Sequence, residues 1–270
     1  MSYRLLALDL DGTLLRSDQQ VDDRDLAAIA ELQAAGVTVT IVTGRLYSGA
    51  TGAAQACAIE GAIGCCDGSH LVEVGSGRTL LHHGMSGEIA AAVRAAVTEH
   101  RLAPFVFDAH GIHYEHAGAP YARYIGTWSP NLRVLEEDAV WQTEPLAAVA
   151  VGDEADVARA HAELRAYADR LFSVSFPIYA LPGKHAIMVR AAGATKGTAL
   201  TELCRRAGCS LAEAVAVGDW MNDVPMFEVA GRSFAMSNAP DAVHAKATDR
   251  LSCSAGDGGG IAEAVRRAWG

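Results

Sequence analysis

The chain has 270 residues, half of them hydrophobic and 20% charged, which is enough for one large α/β domain or a core with a smaller companion and argues against disorder on the scale of a domain. Its 22 basic and 32 acidic residues leave a net charge of −10, which disfavours nucleic acid or an anionic membrane surface as a partner. An anionic small substrate remains open, because a local cation can invert the field inside a cleft.

No apolar stretch approaches the ~20 residues of a membrane span, and the run that ends at Asp9 is too short for a signal peptide. The six cysteines (Cys57, Cys65, Cys66, Cys204, Cys209 and Cys253) contain no C-x-x-C pair, so they read as reduced, mostly buried thiols. The expectation is a cytoplasmic protein, a monomer or a homodimer.

Residues 4–8 are a short apolar run and predict a buried parallel strand. Over 22–35, Leu26, Ile29, Ala30 and Leu32 trace a helical face, and Gly36 follows as a helix stop. Residues 37–42 are rich in β-branched side chains and predict a second buried strand. A helix over 46–58 and a third strand over 62–66 complete a βαβαβ alternation, which implies a parallel sheet with right-handed crossovers.

The middle of the chain changes character. Ile89, Ala92, Val93, Ala96 and Val97 predict a helix over 86–100. Strands follow over 104–108, 112–116 and 146–151, then a helix over 153–168 and strands over 172–176 and 186–190. The stretch 127–144 carries no assignable period. Hairpins mixed with helices point to an α+β insert. From Thr195 the first kind of alternation resumes: helix 195–207, strand 214–218, helix 221–230, strand 232–236, a short helix over 239–246 and a closing helix with Ile261, Ala264, Val265 and Ala268 on one face. The expected architecture is a doubly wound, Rossmann-like α/β core from 1–83 and 186–270, with an inserted α+β domain over 84–185.

Chemistry-bearing residues collect at the carboxyl ends of the core strands, where open α/β sheets bind ligands. Asp9 and Asp11 end the first strand, two apart and so on one face, where they can converge on one point, and Gly12 permits a turn that leaves N–H groups for an anion. Two adjacent carboxylates repel unless a cation sits between them, and an all-oxygen site fits Mg2+. Thr43, Gly44 and Arg45 end the second strand, where a hydroxyl and a glycine suit a phosphoryl oxygen; an N-cap threonine in a loop is the alternative. Lys196 begins a helix, a position the helix dipole disfavours, so an anionic cluster or a phosphate would explain it. The Walker A spacing is absent, which removes a P-loop NTPase. Asp219, Asn222 and Asp223 follow the 214–218 strand and add two carboxylates, one of which could instead be a helix cap.

The sequence resembles the haloacid dehalogenase (HAD) superfamily, in particular its Cof-type branch with an inserted C2 cap. The resemblance rests on DLDGTLL at 9–15, VTGR at 42–45, TKGTAL at 195–200 and GDWMND at 218–223; over 84–185 it rests on position and strand order. It implies that Asp9 is the nucleophile and a metal ligand, and that Asp11 acts as acid and then base while its carbonyl binds the metal. It implies that Thr43 holds a phosphoryl oxygen, that Lys196 neutralises Asp9 and the phosphate, that Asp219 ligates Mg2+, and that Asp223 ligates it or orients its shell. The activity implied is magnesium-dependent hydrolysis of a small phosphorylated metabolite, with a sugar phosphate as the expected class. A phosphotransferase or phosphomutase using Asp9, and a non-catalytic phosphometabolite-binding protein, are the alternatives.

Members of this branch often carry Asn-Gly where this chain has Asp67-Gly68, a departure that would weaken binding of a second anionic group and favour polyols or sugars, or else be a turn residue only. Lys184 and His185 are candidate substrate contacts by location. His82, His83, His110, His113 and His116 read as surface or packing residues, since the spacing of His113 and His116 puts them on opposite faces of a strand.

Overall fold

A computed structural model describes residues 3–135, 139–142 and 144–270, so residues 136–138 and 143 of the stretch without a sequence assignment lie outside the described residues. The chain divides into two compact units. The first holds 1–44, 50–81 and 195–270; the second holds 45–49 and 82–194.

In the first unit, β1 (Leu5–Leu8) is buried at every position, as a strand covered on both faces must be. It is followed by α1 (Asp23–Ala34), β2 (Thr38–Ile41), α2 (Tyr47–Ala56, whose first residues belong to the second unit) and β3 (Ala62–Cys65). Asp22 caps α1 by accepting the Arg24 N–H. The buried stripe of α1 is Asp25, Ala28, Ile29 and Leu32, not the all-apolar stripe through Leu26 and Ala30 expected from the sequence. Asp25 is inside because its carboxylate accepts the N–H groups of Gly259 and Ala262 at 3.1 and 2.8 Å, closing the start of the last helix.

β3 does not extend the parallel sheet as the βαβαβ pattern implied. It meets the β2 segment through a parallel bridge between Val42 and Gly64 and through the Thr40 hydroxyl, which donates to the Ala62 carbonyl at 2.8 Å. It then pairs antiparallel with β4 (His70–Glu73), and β5 (Thr79–His82) completes a three-stranded sheet that the sequence reading missed. The chain reverses over Cys66, Asp67 and Gly68, all at positive φ, so the run cannot continue forward.

The second unit begins with α3 (Gly87–Glu99) and runs through β6 (Ala103–Phe107), β7 (Ile112–Tyr114), α4 (Ala122–Ile125), β8 (Leu132–Val134), β9 (Ala147–Asp153), α5 (Glu154–Leu164), β10 (Leu171–Pro177) and β11 (Lys184–Ala191). Its sheet order is β10-β11-β9-β6-β7-β8, antiparallel except between β7 and β8. Ile89, Val93 and Val97 of α3 share a core with Val157 and Leu164 of α5 and with Val106, Ile187 and Val189 of the sheet. β11 pairs with β9 and β10, so it belongs to the insert's sheet, and the return to the first unit falls at Thr195 rather than at 186.

Back in the first unit, α6 (Lys196–Ala207), β12 (Ala214–Gly218), α7 (Val224–Val229), β13 (Arg232–Ala235), α8 (Asp241–His244), β14 (Asp249–Arg250) and α9 (Gly260–Trp269) complete the fold. All pairings in the main sheet are parallel, in the order β14-β13-β12-β1-β2. Ala199, Leu200 and Leu203 of α6 pack with Met226 and Phe227 of α7 on Leu5, Ala7, Ala214 and Ala216 of the sheet. Each of these side chains leaves water almost entirely, and full burial of a leucine or phenylalanine contributes roughly 1.5–3 kcal/mol before chain entropy is counted. The short β14 carries no apolar pair that a sequence reading could catch. The adjacency of β12, β1 and β2 is what brings chain segments some 200 residues apart to one edge of the sheet, as in the Asp9–Lys196 separation of 187 positions.

Candidate active site

Asp9 is the first residue past β1, held by an N–H bond to the Val217 carbonyl at 3.0 Å. Its side chain meets Lys196, whose Nζ donates to Asp9 Oδ1 at 2.5 Å and to Asp223 Oδ1 at 2.6 Å. Lys196 is the first residue of α6, and Thr195 before it is the N-cap, in a reciprocal bond with Thr198. The lysine that the helix dipole disfavours is thus offset by two carboxylates, all three side chains being almost wholly buried.

Asp223 is fully engaged. Its Oδ2 accepts the N–H groups of Asp219 and Trp220 at 2.8 and 2.9 Å while Oδ1 faces Lys196. Asp223 therefore caps the turn after β12 and meets Lys196 at the same time. Gly218 leaves the room, since a β carbon there would stand 2.4 Å from the Asp223 carboxyl carbon. Asp219 accepts from the Thr13 hydroxyl at 3.3 Å and the Asn238 amide at 3.2 Å, two partners the sequence reading missed. Thr13 lies within the DLDGT run; Asn238 shows only as a turn residue after β13. Gly12, at φ +83, is required for a second reason: a β carbon would come within 2.3 Å of Asp219 Oδ2.

One carboxylate oxygen each of Asp9, Asp219 and Asp223 lies within 4.8 Å of the others, the one such group of three among the described residues. Three buried hard oxygen donors with one ammonium fit a small divalent cation such as Mg2+. Burial pushes the Asp9 carboxyl well above its ordinary range, against the pull of Lys196 and with the push of Asp223. Burial and the Asp223 charge raise Asp219 to about 6. Burial alone would lower Lys196, but Asp223 and Asp9, with a contribution from Asp67, more than offset it and leave the ammonium firmly protonated.

Asp11 stands apart from the three. The strand stops at Leu8, so the two-residue alternation expected to align Asp11 with Asp9 does not reach it. It lies exposed in the turn, bridged to Leu15, and its carboxylate is outside the cluster. Thr43 and Gly44 follow β2, and Thr43 is buried. Asp67 donates its N–H to the Thr43 carbonyl at 3.0 Å and accepts from Asn222 Nδ2 at 2.9 Å. These residues all lie in the first unit.

Arg45, Lys184 and His185 belong to the second unit. Arg45 donates to the Gly49 carbonyl at 3.2 Å. Lys184 pairs with Asp153 at 2.7 Å, across the β11–β9 register. His185 stands 4.0 Å from Glu154. Among the other histidines, His82 and His83 bond the carbonyls of Glu144 and Ala192, and His113 bonds Asp108 at 2.7 Å.

A family model described as haloacid dehalogenase-like hydrolase matches residues 6–265. The chain belongs to this family. As the resemblance of the four motifs implied, it is an enzyme of the hydrolase class. It is 29% identical over 264 residues to pyridoxal phosphate phosphatase YbhA of Escherichia coli (strain K12), covering 92% of each chain. It is 27% identical over 241 residues to an HMP-PP phosphatase of Yersinia pestis (strain Pestoides F), covering 88% of this chain and 85% of that one. Its fold matches that of a haloacid dehalogenase-like hydrolase from Bacteroides thetaiotaomicron with a TM-score of 0.83 at 22% identity, over 98% of this chain and 99% of that one.

Proposed function

We propose that this hydrolase is a magnesium-dependent phosphatase that cleaves a small phosphorylated metabolite through a phospho-aspartyl intermediate on Asp9. The observation that carries the reading is the contact of Lys196 with both Asp9 and Asp223, beside Asp219, at the carboxyl edge of the parallel sheet. A carboxylate attacks a phosphate anion only when positive charge offsets their repulsion. Lys196 supplies one such charge. A bound Mg2+ would supply the other and polarise the phosphoryl oxygens.

Asp9 and Asp219 are the ligands we assign to the ion. Asp223, with both oxygens already bonded, orients Asp219 through its backbone N–H and holds Lys196 in place. The Asp9 oxygen attacks phosphorus, the ester oxygen leaves with a proton from Asp11, and Asp11 then takes a proton from the water that cleaves the acyl phosphate. Thr43 and the turn at Gly12 offer a hydroxyl and N–H groups to the phosphoryl oxygens. The two phosphatases to which the chain is similar support phosphate-ester hydrolysis as the reaction.

A sugar phosphate is the substrate class we assign, with pyridoxal phosphate, named in the E. coli relative, as its first competitor. The six cysteines are all free, and burial pushes Cys57, Cys65 and Cys204 up to about 12, as suits inert thiols of a reducing cytoplasm. No helix among the described residues is long and apolar enough to cross a membrane. The test is phosphate release over a panel of phosphorylated metabolites, with Mg2+ and with EDTA. The proposal expects turnover of at least one ester, abolished by EDTA and restored by Mg2+; full activity in EDTA would contradict it.

A further inference from the structure

β10 lies at one edge of the insert's sheet, and among the described residues it pairs with β11 alone. The Ala192 N–H donates to the Arg170 carbonyl and the Ile178 N–H to the Lys184 carbonyl, both at 2.9 Å. These two bonds fix the phase of the ladder: the even-numbered residues Phe172, Val174 and Phe176 turn their backbone groups toward β11. Leu171, Ser173, Ser175 and Pro177 turn theirs outward, and proline is the residue with no N–H to leave unpaired at an edge.

The side chains alternate as well. Leu171 joins the core formed with α3 and α5, and the Ser175 hydroxyl meets His161 of α5 at 3.1 Å. Phe172, Val174 and Phe176 stand on the other face, Phe172 at 42% and Val174 at 38% exposure. The Arg190 guanidinium lies 4.0 Å from the centre of the Phe172 ring and steadies it.

Proteins guard edge strands with charge or by keeping them short. The opposite edge, β8, has three residues and carries Arg133. β10 has seven residues and no charged side chain. Such an edge fits another strand, and its sequence says which one. Residues 172–176 read Phe-Ser-Val-Ser-Phe in either direction. An antiparallel copy turned about Val174 therefore sets Phe172 against Phe176, Ser173 against Ser175, and Val174 against itself. The backbone phase agrees with this register. Ser173 and Ser175 carry the outward groups and form the hydrogen-bonded pairs, while Val174 falls at the axis on the closer, non-hydrogen-bonded pair. Pro177 meets Leu171 at the rim, where its missing N–H costs one bond at the end of the ladder. Two aromatic cross-strand pairs flank the axis. A two-fold contact of this kind uses one patch on both chains and closes.

We propose that β10 is a dimer interface: two copies of this chain pair antiparallel along Leu171–Pro177, about a two-fold axis at Val174, and join their insert sheets into one. The inference is independent of the phosphatase reading.

The test is sedimentation of the full chain at about 10 μM. The wild type should sediment at twice the mass of one chain. Val174→Lys sets two ammonium groups against each other at the axis and should return single chains, with an unchanged circular dichroism spectrum because Val174 already meets solvent. Val134→Lys, at the exposed valine of β8, should leave the dimer intact. The register is read separately. Val174→Cys should link two chains through a disulfide when treated with glutathione disulfide, which leaves as two glutathione thiols. Phe172→Cys, set against Phe176 of the second copy, should remain unlinked. Single chains in the wild type, open polymers, a dimer that survives Val174→Lys, or equal linking at positions 172 and 174 each overturns the inference.

Discussion

Lys196 in the parallel-sheet unit has a side chain 1% exposed and holds two carboxylates as buried as itself, whereas Lys184 in the inserted unit is 33% exposed and holds an Asp153 that is 67% exposed. Both are lysine–aspartate contacts of about the same length. Their physical meaning differs because solvent screens the exposed pair, whereas the buried group is shielded from it. The pattern extends beyond the pair. The parallel-sheet unit buries Asp9, Asp67, Asp219, Asp223 and Lys196 at strand ends, while many ion pairs of the insert, such as Arg170 with Glu88 and Arg159 with Asp156, lie at its surface. Chemistry concentrates where a protein accepts desolvation, so the substitutions that matter most should fall in the first unit.

The largest effect is expected from Asp9→Asn, which keeps the shape and removes the nucleophile: turnover should drop by roughly 10³-fold or more with the fold intact by circular dichroism. Activity within tenfold of wild type would break the comparison at its centre. Next is Lys196→Met, which leaves two buried carboxylates uncompensated. It should cost about 3–5 kcal/mol in urea unfolding, and the loss should diminish as pH falls and the carboxylates are neutralised by protons instead.

A pH effect on the metal-free protein comes third. Asp219, raised to about 6, binds a proton in the folded state that the unfolded chain releases until about pH 4. Its contribution to stability therefore grows as pH falls across that window, and Mg2+ affinity should fall over the same span because the ion needs the ionised form. Affinity unchanged from pH 7 to 5 would remove Asp219 from the ligand set. Gly68→Ala, at φ +97 and against Thr195, should destabilise by about 1–3 kcal/mol and slow turnover by displacing α6. The smallest effect belongs to the insert: Arg170→Ala, which breaks an exposed pair with Glu88, should shift stability by less than about 1 kcal/mol and turnover by less than about twofold.

The division between legible and illegible features follows the same physics. Strands such as β1 and β12 stood out because burial on both faces demands unbroken apolar runs, and each run ended abruptly on acidic and glycine residues. Lys196 was legible as an anomaly of helix electrostatics, and its two partners account for it. Asp25 was hidden, because a carboxylate that caps a helix 234 residues away leaves no local trace. Asn238 was hidden for the same reason, being a turn residue by sequence and an Asp219 partner only in three dimensions. Asp11 was placed by an alternation rule that holds only while the strand lasts, and the strand had already ended. The insert's return point was misread because β11 looks like a core strand by composition and is assigned to its sheet only by pairing with β9 and β10.

The central claim is tested most directly by trapping the intermediate. The protein is mixed with Mg2+ and a turned-over phosphoester, quenched rapidly, reduced with borohydride and digested for peptide mass spectrometry. The account predicts that the residue at position 9 is recovered as homoserine, dependent on both substrate and metal and absent in Asp9→Asn. Continued turnover with an unmodified Asp9, or modification at a different carboxylate, would contradict it.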